Sequence, residues 1–454
     1  MKRVKIAAGA GFAGDRIEPA LDIINRSDAE YIIFECLAER TIALANQKRL
    51  KNLEKGYNPF LRQRFARIFP LLIEKPIKIV TNMGAANPLK AAEIVSELAC
   101  SCGLASLKVA AVAGDNVMRH IPSYLEQPVL ETNEPLADIS GRIISANAYI
   151  GAKPIQDALG MGADIVITGR VADASLVVGP LMHEFGRTYD DYDFLGKCTL
   201  AGHLLECAGQ LTGGYFADPG LKDVPELWNL GFPILEFGEN GEMTIGKLPD
   251  TGGLVSKMTV TEQLLYEVQN PSRYLTPDVV ADFSRVEIAE IGENRVTVRG
   301  AAGTKPTGSY KVSVGYKDGF IGEGEISYGG ANARARAELA GEIVKERLKQ
   351  MEYPYKDIRF DLLGVNSLYM SDKKNFPSSL CTGELMEVRL RVSARVDSEK
   401  LAQVIGNEVE ALYTNGPYGG GGARGYIREI VAVGSIFMPA SDIEAKVQLF
   451  GGVG

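Results

Sequence analysis

The 454-residue chain has no apolar run of the ~18–20 residues that a membrane-spanning helix needs. It has no basic stripe: the net charge is −8 with both signs interspersed, which excludes the electrostatic footprint of a non-specific nucleic-acid binder. Its six cysteines, Cys36, Cys100, Cys102, Cys198, Cys207 and Cys381, include no CxxC pair and match no common zinc spacing. A chain this long buries a core without disulfide staples, so reduced thiols and no metal site are expected. Fixed-period repeats and low-complexity segments are absent, which removes repeat architectures. The N-terminus, MKRVKIAAGAGF, begins basic and turns apolar. Its apolar run is too short for a signal peptide, and Asp15 and Arg16 interrupt it. It reads as a first strand, and a cytoplasmic location is expected.

What the chain does have is one pattern repeated six times: a short apolar β-type run, a tight polar or glycine-rich turn, then a helical stretch. The runs are 4–8, 31–35, 77–81, 107–113, 143–147 and 165–168. Continuous apolar strands alternating with helices indicate a parallel sheet covered on both faces. The expectation is an α/β domain over residues 1–220 with a doubly wound, mainly parallel sheet. After about Gly220 the pattern changes to hairpins, such as the one around Asn240-Gly241, and long helices. Residues 221–454 read as an α+β second domain with a glycine-rich C-terminal loop.

In an open parallel sheet the strand ends share one edge, so the six turns should meet in one crevice. Gly9, Gly11 and Gly14 match the dinucleotide fingerprint, and Glu35 lies 21 residues after Gly14, where a ribose-binding acid belongs. Asp15 and Arg16 depart from it, because apolar residues usually follow the third glycine. Asn82, Gly84, Asp115 and Asn147 place amides, a carboxylate and open backbone at strand ends. Asn87 reads as a cap for the helix that starts at Pro88, and Asp115 as an Asx-turn. Arg170 is a planar fork suited to a carboxylate or phosphate, or else a structural partner of Asp173. His203 and Glu206 share a helix face at i, i+3, as an acid–base pair or as a surface ion pair. Gly420, Gly421 and Arg424, behind Asn415-Gly416-Pro417-Tyr418, read as an anion-holding loop or a linker.

The segments GAGFAGDR, TNMGAANP, ITGRVADASL, HLLECAGQLTGGY, TGGLVSKMTVTEQLLYE and NGPYGGGGARG resemble the acyclic terpene utilisation (AtuA) family over nearly the whole chain. The resemblance implies a role in breaking down citronellol- and geraniol-type terpenes through CoA thioesters. It also implies a ferredoxin-like-fold domain of about 100 residues, on a C-terminal extension or a separate small subunit; none is evident in the sequence before Gly454, so a separate partner is expected.

Together these readings favour a catabolic enzyme, and a homo-oligomer, acting on a small carboxylate or acyl-CoA by hydration, dehydration or C–C cleavage. Asp15, Glu35, Asp173, His203 and Glu206 are the candidate acid–base groups. Gly11, Arg16, Asn82, Gly84, Asp115, Asn147, Arg170, Gly420, Gly421 and Arg424 are the candidate binding groups. An NAD(P)-dependent oxidoreductase and a non-catalytic subunit remain alternatives.

Overall fold

A computed structural model describes residues 2–368 and 385–452; Cys381 lies outside the described residues. The chain divides into two compact units, Met1–Gly315 with Val433–Gly454, and Tyr316–Ala432.

The first unit is mixed α/β. Its strands in chain order are β1 (Arg3–Ala10), β2 (Tyr31–Phe34), β3 (Lys78–Thr81), β4 (Lys108–Ala113), β5 (Ile143–Ala148), β6 (Ile165–Thr168), β7 (Pro233–Gly238), β8 (Met243–Lys247), β9 (Tyr274–Leu275), β10 (Val280–Asp282), β11 (Glu287–Gly292), β12 (Arg295–Arg299) and β13 (Ala302–Thr304). β14 (Ser309–Gly329) leads the chain out and, after β15 (Asp357–Leu363) and β16 (Glu387–Val396), β17 (Gly420–Pro439) leads it back to β18 (Lys446–Gly451). One ten-stranded sheet runs β11-β12-β8-β7-β1-β2-β3-β6-β4-β18. Its middle, β1-β2-β3-β6-β4, is parallel, and β7 and β18 join antiparallel on either side. The short strands YIIF and IVIT are buried at every position, as expected of β-branched and aromatic runs covered on both faces.

The helices are α1 (Glu18–Arg26), α2 (Glu39–Lys51), α3 (Leu61–Glu74), α4 (Pro88–Ser101), α5 (Lys153–Gly160), α6 (Ser175–Glu184), α7 (Tyr192–Leu205) and α8 (Lys257–Leu265). α1, α3 and α4 pack as one group and α5, α6 and α7 as another. A core of Ile6, Ile32, Ile33, Phe34, Val80, Val166, Leu176 and Leu204, among others, joins sheet and helices.

Five of the six expected strands lie in this sheet, and the sixth does not. β5 pairs with β14 instead. Its Ala146 and Ala148 enter a separate core with Val312, Val314, Ile436 and Met438. Ser145 and Asn147 are buried as well, and α2 packs on this strand. Burial on two sides looks the same in a sequence whichever sheet supplies it. Residues past 220 also add to the first sheet, as β7, β8, β11 and β12.

The second unit is the four-stranded sheet β15-β16-β14-β17 with α9 (Ala333–Gln350) and α10 (Glu399–Glu410). β14, α9, β15, β16, α10 and β17 follow in the order βαββαβ, the ferredoxin-like arrangement. Ile326, Tyr328, Val344, Leu390, Val392, Ile405 and Val409 form its core. A unit of ferredoxin-like arrangement is thus part of this chain itself. β14 runs unbroken through Lys317-Asp318-Gly319, where Gly319 takes φ +84°.

Candidate functional site

The carboxyl ends of the parallel strands carry a buried polar network. Past β2, Glu35 is 8% exposed, and its Oε1 accepts from Leu37 N and from Asn82 Nδ2, each at 2.8 Å. Asn82 Oδ1 accepts from Cys36 N at 2.7 Å, so the amide at the end of β3 is clamped between two strand ends. Past β4, the Asp115 carboxylate accepts from Asn147 Nδ2 at 2.7 Å and from Arg170 N at 3.1 Å. Asn46 on α2 donates to Asn147 Oδ1 at 2.9 Å. Asp115 therefore ties three chain segments together, where the sequence suggested a local Asx-turn; burial raises its carboxyl. Gly84 sits against Thr168 O and the Pro88 ring, in the same layer.

Past β6, Arg170 is fully buried. Its Nε donates to Val171 O at 2.8 Å, and its two terminal nitrogens donate to Leu37 O, Val171 O and Asp173. Its guanidinium lies 4.4 Å from the Tyr149 ring centre, a cation–π contact. Every nitrogen of the fork serves a protein acceptor, so Arg170 braces the site, with Asp173 as its ion-pair partner among the described residues. Tyr149 donates to Glu39 Oε1 at 2.7 Å, and Lys311 reaches the same oxygen at 3.0 Å. Burial would raise the Glu39 carboxyl, but these bonds and the Lys311 charge outweigh it and hold it at about 2. Tyr149, Glu39 and Lys311 were not singled out from sequence. The NAYIG turn was noticed for Asn147 alone, and Lys311 lies more than 150 residues further on.

Asp173 lies within electrostatic reach of both Glu35 and Glu206. Burial, then the Asp173 charge, push the Glu35 carboxyl up to about 8 against the pull of Arg170. Burial also raises Asp173, which keeps 37% of its side-chain surface open and is the accessible member. Glu206 follows the last turn of α7, where the carbonyl end of the helix disfavours a carboxylate. Burial raises it, the His203 bond opposes, and Asp173 adds to the rise. His203 Nδ1 is 3.1 Å from Glu206 Oε1, and its Nε2 is 3.2 Å from Leu264 O. The carbonyl only accepts, so Nε2 carries a hydrogen. The Nδ1–Oε1 contact then holds one proton shared between base and acid. The pair is buried, His203 at 1% exposure, not the surface pair that the sequence also allowed. Tyr274 and Phe283 pack on the imidazole, and Cys207 and Gln263 lie beside it. Of these four, only Cys207 is signalled in the sequence, by its closeness to His203 and Glu206.

The first turn does not offer a phosphate cradle. The Asp15 carboxylate accepts from Gly11 N at 2.9 Å and Arg16 N at 2.8 Å, filling with its own charge the place where a pyrophosphate would bind. α1 begins only at Glu18, four residues past Gly14. A Cβ on Gly11 would stand 2.5 Å from the Cys207 backbone, so this glycine serves a close approach of two chain segments. Glu35 Oε1 already accepts from Leu37 N and Asn82 Nδ2, so it is not free to accept from a ribose hydroxyl. Arg16 is exposed and donates to Trp228 O at 2.9 Å, apart from the Arg170 network. Asn87 stands at the start of α4, yet its side chain donates to Leu53 O and Lys55 O in place of capping. In the second unit Gly420 and Gly421 are the first residues of β17, Gly420 packing on Ile326 and Tyr328, and Arg424 is exposed on that strand. They form a strand start and not a free loop. Among the described residues no three His, Cys, Asp or Glu side chains are grouped to hold a metal ion, and no helix is long and apolar enough to cross a membrane.

The family model described as acyclic terpene utilisation family protein AtuA matches residues 4–449. The chain belongs to this family. The first motif of the resemblance, GAGFAGDR, is the Asp15-filled turn; the third, ITGRVADASL, carries Arg170 and Asp173; the fourth, HLLECAGQLTGGY, carries His203 and Glu206. Comparison with curated proteins and with solved structures gave no match.

Proposed function

We propose that this AtuA-family chain is an enzyme of terpene utilisation that carries out acid–base chemistry on a small acyl group at the Glu35–Asp173–Glu206 cluster. One observation carries the reading: three carboxyl groups from three different loops are crowded at one sheet edge, and Glu35 is pushed up to about 8. A carboxyl held protonated at neutral pH is a proton donor, and one beside a shared-proton imidazole is a proton acceptor. Glu35 then serves as acid, Glu206 as base, and Asp173 as the open entrance between them. Arg170, Asn82 and Asp115 position these groups and do not touch substrate.

A free carboxylate entering this cluster finds no unspent guanidinium to pair with, and it brings a negative charge to a place that already disfavours carboxylate anions. An uncharged thioester brings none, so of the two substrate forms the acyl-CoA fits better. Abstraction or return of a proton beside its carbonyl serves hydration, dehydration and C–C cleavage alike. The test is deuterium uptake: branched short-chain acyl-CoAs are incubated with the protein in D2O and followed by mass spectrometry. Exchange at the carbon beside the carbonyl, lost in Glu35→Gln, supports the reading. Exchange equal in wild type and Glu35→Gln, or none with any thioester, rejects it.

A further inference from the structure

Two cations share one aromatic ring in this network. The Arg170 guanidinium lies 4.4 Å from the Tyr149 ring centre, and the Lys311 ammonium lies 5.2 Å from the same point. The backbone sets this up: Tyr149, just past β5, donates its N–H to Lys311 O on β14 at 2.8 Å. Each cation has its own carboxylate, Asp173 for Arg170 and Glu39 for Lys311 at 3.0 Å. The Tyr149 hydroxyl donates to the same Glu39 oxygen at 2.7 Å. The two ion pairs differ in what they leave over. Arg170 is fully buried and its nitrogens are bonded. Lys311 keeps 39% of its side-chain surface open, Glu39 41% and Asp173 37%. An ammonium carries three hydrogens. Glu39 takes one, and among the described residues Lys311 has no second acceptor.

The other side-chain donors here face inward. The amides of Asn46, Asn82 and Asn147 are exposed by 6% or less and bond to Asn147, Glu35 and Asp115. The Tyr149 hydrogen goes to Glu39. Lys311 is therefore the side-chain donor of this network that solvent, and with it a substrate, can reach. Its surroundings select what it binds. Glu39 is held at about 2 and so is ionised, and the charges of Glu39 and Lys311 both act on Asp173. A phosphate or carboxylate at Lys311 would meet a carboxylate already on the ammonium and another carboxyl nearby. A carbonyl oxygen offers lone pairs without a net charge, so it accepts from Lys311 without that repulsion.

We propose that Lys311 is a substrate-binding residue that donates a hydrogen bond to the acyl carbonyl oxygen and holds the acyl group beside Asp173. The proposal rests on the reading of this cluster as an acid–base site for a thioester, and it supplies what that chemistry needs. When Glu206 takes the proton beside the carbonyl, the electron pair left behind moves to the carbonyl oxygen. The ammonium stabilises the charge that develops there and keeps its own protons. Glu39 and Tyr149 position the ammonium and do not touch substrate.

The test reads binding and not turnover, so it succeeds or fails apart from the deuterium experiment. Butanoyl-CoA and the thioether S-butyl-CoA, which has CH2 in place of the carbonyl, are titrated into the full chain by calorimetry. Wild type should bind the thioester at least about tenfold more tightly, the margin of one hydrogen bond from a charged donor. Lys311→Met should erase that margin, and Lys311→Arg, which keeps a charged donor, should retain most of it. A lysine that only braces the fold would weaken both ligands alike and leave the margin in place. A second measurement needs no variant: with 13C at the carbonyl of butanoyl-CoA, the carbonyl stretch should move below its position in water on binding to wild type. Equal affinities in wild type, no binding of either ligand, a margin that survives in Lys311→Met, or an unmoved carbonyl band overturns the proposal. Deuterium exchange without the margin strikes Lys311 and leaves the acid–base reading standing. The margin without exchange keeps the carbonyl contact and strikes that reading.

Discussion

On the sheet of the second unit, partly open arginines meet carboxylates that are largely buried, each charge with its opposite. Arg389 meets Glu325 at 3.2 Å, Arg391 meets Asp361 at 2.7 Å, and Arg395 pairs with Asp318. At the carboxyl edge of β1–β6, Glu35, Asp173 and Glu206 share a single guanidinium, that of Arg170, which reaches only Asp173. The first arrangement is what a polar sheet face needs: each charge finds its opposite across neighbouring strands. The second is costly, because it gathers like groups where water is scarce, and burial pushes all three carboxyls up, Glu35 to about 8. Stability alone does not call for such a cluster. Its persistence, held by Asn82, Asp115, Asn147 and Arg170, is the reason to look for chemistry there and not on the paired sheet.

If that contrast is right, the braces should matter most. Arg170→Lys removes the fork that joins Leu37, Val171 and Asp173 and loses the stacking on Tyr149. The expected loss is about 3 kcal/mol by chemical denaturation, at the low end for a buried pair because Asp173 is partly open. An Arg170→Lys protein of native stability that fails only to bind substrate would return Arg170 to a ligand-clamping role.

Glu35→Gln keeps both hydrogen bonds to Oε1 and removes the proton. The expected effect on turnover is a fall of about a hundredfold or more. It should also change the pH dependence of folding. The Glu35 carboxyl is near 8 in the fold against an ordinary 4.5, so the folded chain holds a proton that the unfolded chain releases between those values. That contribution to stability is complete below about pH 4.5 and is lost as the pH rises toward 8. The wild-type melting temperature should therefore fall across this window, and the variant's should fall less. Equal slopes would show that Glu35 ionises freely.

Gly11→Ala sharpens the comparison on the backbone. The added methyl would meet the Cys207 backbone at 2.5 Å, and nothing flexible can give way. A loss of about 1–3 kcal/mol is expected, with a shifted Glu206 and poorer turnover than the stability loss explains. The smallest effect should come from the second unit. Arg391→Met removes one of two arginines on the buried Asp361, which keeps Arg359 at 3.1 Å, and should cost about 1 kcal/mol and leave turnover unchanged. A large loss there would erase the distinction between the two charge patterns.

Much of the parallel sheet was legible because its strands are short, continuous and apolar, and turn residues mark both ends. β5 was misplaced for the same reason: IISANA has that signature, and only the position of β14 decides which sheet receives it. Glu35, Asp173 and Glu206 were legible as polar residues at strand or helix ends. Their company was not. Gln263 and Lys311 lie on elements far along the chain, and nothing in their local sequence marks them. The G-x-G-x-x-G match was legible and misleading, since the spacing cannot show that Asp15 turns back onto Gly11.

The amino-acid sequence by itself determined the alternation of strands and helices, the polar character of the strand ends, the i, i+3 pairing of His203 with Glu206, and the family. These follow from period, side-chain chemistry and near neighbours, which a linear order contains. Only the tertiary structure decided that Arg170 is spent inside the protein, that the ferredoxin-like unit runs from β14 to β17, and that burial raises the Glu35 carboxyl. Each of these depends on burial and on partners brought from distant parts of the chain. Solvation and through-space charge are set by what surrounds a group in three dimensions and not by what precedes it in sequence.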